Sequence, residues 1–245
     1  MLDTALRVRD ADTSDIGQAI GLVGHTHLFG PGLRFDMLQS MLDHRDTPSY
    51  LALNEEIERL QENLWAGGPD PDVRSLFGTQ TTWHLIGPFD NAEGKGFDTV
   101  YPPEREIGLS KTYQGVDGPV SWKVWSCGDP SGSVDLRAYY EKDQYVCAYA
   151  LGYLTVERET SAQIRVGVND ALKMWIGDRL AFVKPPDSRA MLDNWIVDVT
   201  LKKGTTPIRL KVCNEEVDWG FYFRVTDKNG SPLKDVRFSP RPPKD

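Results

Sequence analysis

Acidic and amide side chains beside predicted strand ends are the residues best suited to bind a ligand in this sequence. Asn169 and Asp170 follow one strand-like run, and Asn214 and Glu216 follow another. Their oxygens can accept hydrogen bonds from hydroxyl groups. A nearby aromatic ring, for which Trp175 is the candidate, would offer a face to the C–H groups of a sugar. These five residues form the predicted ligand site.

A second group of oxygen-bearing side chains follows Pro88 and predicts a candidate structural calcium site. It comprises Asp90, Asn91, Glu93 and Asp98. Calcium binds about six to eight oxygen atoms, so an oxygen-rich loop is a suitable place for it. Solvated turn residues are the alternative interpretation, and the sequence contains no EF-hand loop. No other cofactor is predicted.

Catalytic motifs are scarce in this chain. It has no nucleophile elbow, phosphate loop, paired CxxC or HExxH motif. Glu104 with Glu106, or Glu215 with Glu216, could form the carboxylate pair of a glycan hydrolase. Adjacent residues of a strand point to opposite faces, which counts against the second pair if that stretch is extended. The sequence therefore predicts a protein that is not an enzyme.

Charge and hydropathy limit the partners of the chain. The formal net charge of −8 argues against a surface that binds the phosphates of nucleic acid. No apolar stretch approaches the roughly 20 residues of a membrane-spanning helix. Acidic residues stand near the start, where a signal peptide would have its apolar core, so the chain is expected to be either cytoplasmic or a fragment of a longer precursor. Cys127, Cys147 and Cys213 are predicted to be buried thiols.

The first 75 residues are predicted to form a helical segment. Apolar residues recur at intervals of three and four between Ile16 and Val23, and again between Tyr50 and Leu64. Glycine and proline residues at 67–71 then end the last helix. Such short helices must pack on each other or on the rest of the protein to be stable.

From Thr81 onward the hydrophobic period shortens to two. Eight or more β-branched and aromatic runs, separated by turn residues, predict an antiparallel β-sandwich of the jelly-roll type over residues 81–240. The alternation predicts that one set of side chains faces the core: Ile208, Leu210, Val212, Trp219, Phe221, Phe223 and Val225. It predicts that Arg209 and Lys211 face solvent.

A resemblance to a known group of proteins lies in the stretch WHLIGPFDNAEGKGFDTVYPPE, residues 83–104, followed by SWKVW at 121–125. It resembles a segment of large bacterial multidomain proteins, many of them secreted or on the cell surface, that precedes a sandwich domain. The resemblance implies no defined activity and favours an extracellular or cell-surface location. We predict that Trp83, Phe89 and Phe97 are buried, because such a loop needs its own packing. The prolines of residues 101–104 predict an extended segment.

A second resemblance covers residues 144–226, which are similar to galactose-binding-like sandwiches and protective-antigen-type lectin domains. The matching positions are Asn169-Asp170, Trp175–Asp178, Leu201–Gly204 and Lys211–Asn214. Asp178 departs from the usual Asn-Gly, and Ala171 replaces the glycine that usually follows the acidic turn. Because this turn holds calcium and sugar in the lectin members, the two departures bear on the ligand function, whereas the resemblance implies the sandwich fold.

The sequence thus predicts a non-catalytic carbohydrate- or polymer-binding accessory module of a larger bacterial protein. The expected partner is a glycan or polysaccharide. A structural role, in which the sandwich docks on neighbouring domains or subunits without a sugar ligand, is the alternative, and a glycan hydrolase is the third hypothesis. Neither nucleic acid nor a membrane span is expected.

Overall fold

A computed structural model describes residues 8–10, 59, 62, 66–67, 77–128, 132–186, 188, 190 and 193–243. The predicted helical segment and its boundary with the sandwich therefore lie almost entirely outside the described residues. Arg59 and Glu62 are helical. Strand β1, Val8–Asp10, is an exception to the predicted helical segment, and it pairs with residues 195–197. Three residues are too few to show a strand period in the sequence.

The described strands form two large sheets in which every pairing is antiparallel, as predicted. The smaller sheet has five strands, in the order β1, β11 (Trp195–Leu201), β8 (Thr160–Val168), β13 (Gly220–Thr226) and β6 (Val134–Asp135). The larger sheet has seven, beginning with β10 (Arg179–Lys184), β9 (Ala171–Ile176), β12 (Gly204–Asn214), β7 (Val146–Val156), β2 (Thr82–Asp90) and β5 (Lys123–Ser126). Its seventh strand, β14 (Val236–Ser239), also pairs with β7.

Shorter elements connect these sheets. Strands β3 (Thr112–Gln114) and β4 (Pro119–Ser121) form a separate two-stranded ribbon. The helical elements between residues 82 and 243 are short: α1 (Pro102–Arg105) and the 3₁₀ segments Ala92–Phe97 and Leu136–Ala138. Among the described residues, no helix has the length and apolar character needed to cross a membrane.

The core lies between the two sheets and contains the side chains that strand alternation predicts there. Ile208, Leu210 and Val212 of β12 are buried in it, as are the alternate apolar residues of β13. Trp83 makes edge-to-face contacts with Phe221 and Phe223, with ring centroids 5.4 and 5.1 Å apart. The prediction of the core face is therefore confirmed for both strands.

The outer face of the larger sheet is covered by residues 91–122, which we call the covering segment. Phe97 packs against Cys147, Ala171 and Cys213 of the sheet. A Cβ atom at Gly96 would lie 2.3 Å from the Asp90 carbonyl oxygen, so this close approach requires glycine. The predicted burial of Trp83, Phe89 and Phe97 is confirmed.

One turn of the covering segment differs from its prediction. The prolines at 102 and 103 begin α1 instead of holding an extended chain. Proline suits the first turn of a helix, because its missing N–H would have no intrahelical partner there. Glu106, at the end of this turn, donates its backbone N–H to the Pro102 carbonyl at 3.2 Å.

Two cations under the covering segment were expected to face solvent, and this prediction is wrong. Lys211 is fully buried, and its ammonium donates to the Phe97 carbonyl at 3.1 Å, the Thr99 carbonyl at 2.6 Å and the Glu104 carboxylate at 2.8 Å. Arg209 is also buried and donates to the Pro103 carbonyl at 2.7 Å. Alternation correctly separates the two faces of β12, but it does not show that a further layer covers the outer one.

The outer side of the smaller sheet has its own buried charges. Arg224 and Arg165 both donate to the Asp193 carboxylate, with Arg165 Nη1 at 2.8 Å. Burial alone would raise the pKa of Asp193, but the two guanidinium groups outweigh it and hold the pKa below its usual range. Arg224 also donates to the Phe77 and Gly230 carbonyls at 3.2 and 3.1 Å, which fixes two loops onto the sheet. All three cysteines are free and buried, as predicted.

Candidate functional site

Four loops meet at one end of the sandwich, which we call the loop end. They are residues 90–94, 143–145, 169–170 and 214–218. Asn91 donates its backbone N–H to the Tyr145 carbonyl at 2.8 Å, and Tyr145 donates to the Glu215 carbonyl at 2.9 Å. Glu215 in turn donates its backbone N–H to Asp170 Oδ2 at 2.8 Å. The two turns predicted to bind a ligand therefore lie together.

The Asn169-Asp170 turn is held by side chains and backbone together. Asp170 has a φ of 57°, and its backbone N–H donates to the Ser188 carbonyl at 2.9 Å. Asn169 Oδ1 accepts from the Ala190 N–H at 2.5 Å. Both side chains are half-buried at the surface of the loop end. The turn is thus fixed in position while remaining partly accessible.

Asn214 joins the loops instead of facing solvent. It is fully buried, and its Nδ2 donates to the Asp143 carbonyl at 2.6 Å. Its own carbonyl accepts from Asn91 Nδ2 at 3.0 Å. Its Oδ1 atom is buried without a hydrogen-bond partner among the described residues. Of the predicted ligand residues, Asn214 therefore lies beneath the site and supports it.

Tyr145 is a candidate site residue that the sequence analysis did not single out. With 41% of its surface exposed, it is the most exposed aromatic side chain among the described residues. Its hydroxyl donates to Glu216 Oε1. This hydrogen bond, together with the nearby charges of Glu216 and Glu215, raises the pKa of Tyr145. An exposed ring is thereby held beside two carboxylates.

Trp175 was predicted to be the exposed aromatic, and this prediction is wrong. Only 8% of its surface is exposed. It lies on the outer face of β9, where the Arg209 guanidinium stands 4.8 Å from its ring centroid. Arg209 is itself bonded to Pro103 of the covering segment, so the layer that buries the cations also buries this ring. Trp175 cannot supply a stacking face without movement of that layer.

The residues of the predicted calcium site contact different partners. The four residues of this site are Asp90, Asn91, Glu93 and Asp98. Asn91 is buried, Glu93 pairs with Lys95 at 2.6 Å, and Asp98 pairs with Lys173 at 3.0 Å. Within the described part of the chain, no three His, Cys, Asp or Glu side chains are arranged to hold a metal ion. The structure does not bring this set together.

The carboxylates proposed for hydrolysis are also placed by the structure. Glu104 accepts from Lys211 and, at 2.6 Å, from the Tyr149 hydroxyl beneath the covering segment. Glu106 accepts from Lys111 at 2.7 Å on the surface. Burial and the charge of Glu104 raise the pKa of Tyr149, so its hydroxyl remains a donor. These contacts hold the covering segment in place.

The loop end carries an excess of negative charge. Arg137 pairs with Asp218 at 2.7 Å and with Asp135 at 3.3 Å. Glu215 and Glu216 make no ion pair with any described residue. Carboxylates without a cation partner favour a ligand that donates hydrogen bonds, and they disfavour an anionic one.

Unusual backbone conformations are concentrated at the loop end. Five residues other than glycine have positive φ among the described residues, and four of them lie here: Glu93, Tyr145, Asp170 and Val217, with φ of 56°, 52°, 57° and 70°. The left-handed region is unfavourable for residues with a Cβ atom, most of all for a β-branched one. Such residues cluster at functional sites in many proteins.

Comparison with known proteins gave similarities only among solved structures. No protein-family model and no curated protein matches the sequence. A β-glucosidase from Kluyveromyces marxianus is 14% identical, with a TM-score of 0.39, over 62% of this chain and 17% of that chain. An anti-sigma factor domain-containing protein from Clostridium clariflavum is 10% identical, with a TM-score of 0.35, over 67% of this chain and 49% of that chain.

A third similar structure is an adhesin domain. The A domain of epithelial adhesin 9 from Candida glabrata, in complex with Galβ1-4GlcNAc, is 14% identical, with a TM-score of 0.32, over 61% of this chain and 85% of that chain. The chain spans less than a fifth of the β-glucosidase. At TM-scores this low, the three similarities carry no argument about ligand or activity.

Proposed function

We propose that this protein is a non-catalytic glycan-binding module and that the sugar binds at the loop end. One observation carries the proposal: the exposed ring of Tyr145 stands beside the Glu216 carboxylate, next to the Asn169-Asp170 turn. The ring offers a face to the C–H groups of a sugar. The carboxylate and amide oxygens can accept hydrogen bonds from its hydroxyl groups, and bonds to charged acceptors are stronger than neutral ones.

The charge of the site indicates the class of glycan. Glu215 and Glu216 have no described cation partner, so a uronate or sulfate group would be repelled at short distance. A neutral polysaccharide has only hydroxyl donors to offer and meets no such repulsion. The resemblance of residues 144–226 to lectin-type sandwiches supports the same function, with Tyr145 in the role expected of Trp175.

Affinity electrophoresis against a panel of immobilised polysaccharides tests the proposal. We expect retardation by at least one neutral polysaccharide and none by uronate-rich or sulfated polymers. Tyr145→Ala should abolish the retardation, and Asp235→Asn, which changes one exposed carboxylate of a surface ion pair elsewhere, should leave it unchanged. Retardation by acidic polymers alone, or by none of the panel, would contradict the proposal.

Docking on a neighbouring domain or subunit is the second candidate function, and one observation favours it. Leu180 and Val183 are both exposed on β10, which is the last strand in the order of the larger sheet. Apolar side chains on an edge strand are suited to contact with another chain. If this edge contacts a second copy of the protein, sedimentation will show a dimer that Leu180→Lys dissociates. A monomer that binds a neutral glycan favours the first function.

A further inference from the structure

Two of the three buried cysteines lie directly opposite each other on neighbouring strands. Cys147 is the second residue of β7, Cys213 is the last but one of β12, and the antiparallel register pairs them. Opposite residues of such a pair direct their side chains to the same face of the sheet. Both cysteines accordingly pack in one cluster beneath Phe97. The two thiol groups are therefore neighbours under the covering segment.

The backbone hydrogen bonds of β12 show which kind of pair the two cysteines form. The Gly177 N–H donates to the Pro207 carbonyl at 2.8 Å, so Pro207 directs its backbone groups toward β9. Every second residue of a strand shares this direction, and the pairing of β12 with β9 continues without a register shift as far as Cys213. Cys213 therefore also directs its backbone groups toward β9, and it forms a non-hydrogen-bonded pair with Cys147 of β7.

This kind of pair has the geometry that a disulfide requires. In a non-hydrogen-bonded antiparallel pair the two Cα atoms are about 4.5 Å apart, and the side chains are closer than in a hydrogen-bonded pair. A disulfide usually joins Cα atoms that are about 4.4–6.8 Å apart. The strands therefore need neither separation nor a change of register to accept the bond.

Cys127 is too distant to compete for either cysteine. Its backbone N–H donates to the Thr81 carbonyl at 3.0 Å, just before β2 begins, whereas Cys147 pairs with Phe89 near the end of β2. At about 3.3 Å per residue, the chain from Thr81 to Phe89 is roughly 25 Å long. No disulfide spans this distance, so the fold permits one pairing among the three cysteines.

Burial determines when the bond can form. Cys147 and Cys213 are at most 1% exposed, and burial, followed by the neighbouring Cys213 thiol, raises the pKa of Cys147 well above its usual value. Exchange between thiols and disulfides requires an accessible thiolate. The two thiols are therefore inert in the folded protein, and they react while the chain is folding, before the covering segment closes over them.

We propose that Cys147 and Cys213 form a disulfide when the protein folds in the presence of a small disulfide such as oxidised glutathione. One cysteine thiolate attacks a glutathione sulfur and releases a glutathione thiolate, and the second cysteine thiolate attacks the resulting mixed disulfide and releases the other. The cysteines lose two protons and two electrons, and the glutathione disulfide is reduced to two thiols. The bond ties β7 to β12 beside Val146 and Asn214, where two loops of the loop end leave the sheet.

Refolding in a glutathione buffer tests this proposal. Reduced full-length protein is unfolded in urea and diluted into a mixture of reduced and oxidised glutathione, the remaining thiols are alkylated, and peptide mass spectrometry locates the linked and labelled cysteines. We expect most molecules to contain a link between Cys147 and Cys213 and a label on Cys127. Cys127→Ala should form the link as the wild type does, whereas Cys213→Ala should form no intramolecular link. Labels on all three wild-type cysteines, or links that involve Cys127, would overturn the proposal.

A second measurement needs no substitution. The bond closes a long loop, residues 148–212, and so restricts the unfolded chain. Wild-type protein refolded with oxidised glutathione should therefore have a thermal midpoint at least about 5 °C above that of the same protein refolded with a thiol reductant. Cys213→Ala should have the same midpoint after both treatments. Equal midpoints of the two wild-type preparations would contradict a bond that ties the two strands together.

Discussion

The covered face of the larger sheet and the loop end both contain charged side chains, but these side chains are buried and paired in the first region and exposed in the second. Under the covering segment, Lys211 has no exposed surface, and its three donors meet three acceptors. At the loop end, Glu215 and Glu216 form no ion pair with a described residue, and the side chain of Tyr145 is exposed to solvent. Polar groups that are satisfied internally stabilise the fold, whereas those left at the surface are available to a ligand.

The two regions differ because the covering segment lies over the outer face of the larger sheet, whereas no described segment lies over the loop end. A buried charge is costly unless its partners replace the water that it loses, and the ammonium of Lys211 has such partners. The loop end is not covered, so its carboxylates keep their hydration and no internal cation is required. Mutations in the two regions should therefore separate stability from binding.

The largest effect is expected from Lys211→Met. The substitution removes the ammonium that pairs with Glu104, which keeps its hydrogen bond from Tyr149, and it removes that donor from two backbone carbonyls, so the free energy of unfolding should fall by about 3–5 kcal/mol. Urea titration measures the change. Lys111→Met, which removes the exposed pair with Glu106, should lower the free energy of unfolding by less than about 1 kcal/mol. Equal losses in the two variants would show that the buried cluster does not stabilise the covering segment.

A somewhat smaller effect is expected from Phe97→Ala. The ring is 9% exposed and fills the space over Cys147, Ala171 and Cys213, so its removal should lower the free energy of unfolding by about 3 kcal/mol. Phe97→Leu keeps most of the apolar volume and should lower it by less than about 1.5 kcal/mol. A thermal melt of the alanine variant that coincides with the wild type would refute the role of Phe97.

Strand alternation predicted the sandwich and the core face of β12, because the period of two is a local property of the sequence. It failed for Arg209 and Lys211, since their exposure depends on a segment some 100 residues away that folds over them. Tyr145 was missed for a related reason. Its neighbour Glu215 is close only because β12 pairs with β7, and such long-range pairing is not encoded in a local pattern.

A small effect is expected from Val217→Gly at the loop end. Val217 is largely exposed and has a φ of 70°, which is unfavourable for a β-branched residue. Glycine removes this strain but makes the unfolded chain more flexible, so the free energy of unfolding should stay within about 1 kcal/mol of the wild type. Val212→Gly in the core serves as the contrast and should be strongly destabilising. A large loss in Val217→Gly would show that the loop end is packed as tightly as the covered face.

Calorimetric titration of a neutral oligosaccharide into the wild type and Tyr145→Ala tests the central claim most directly. The oligosaccharide is taken from whichever polysaccharide retards the protein. Because Tyr145 is exposed, its removal should leave the thermal midpoint nearly unchanged, yet the loss of the stacking face should weaken binding by about tenfold or more, equivalent to about 1.4 kcal/mol. If Tyr145→Ala binds the oligosaccharide as tightly as the wild type, the glycan site is not at the loop end.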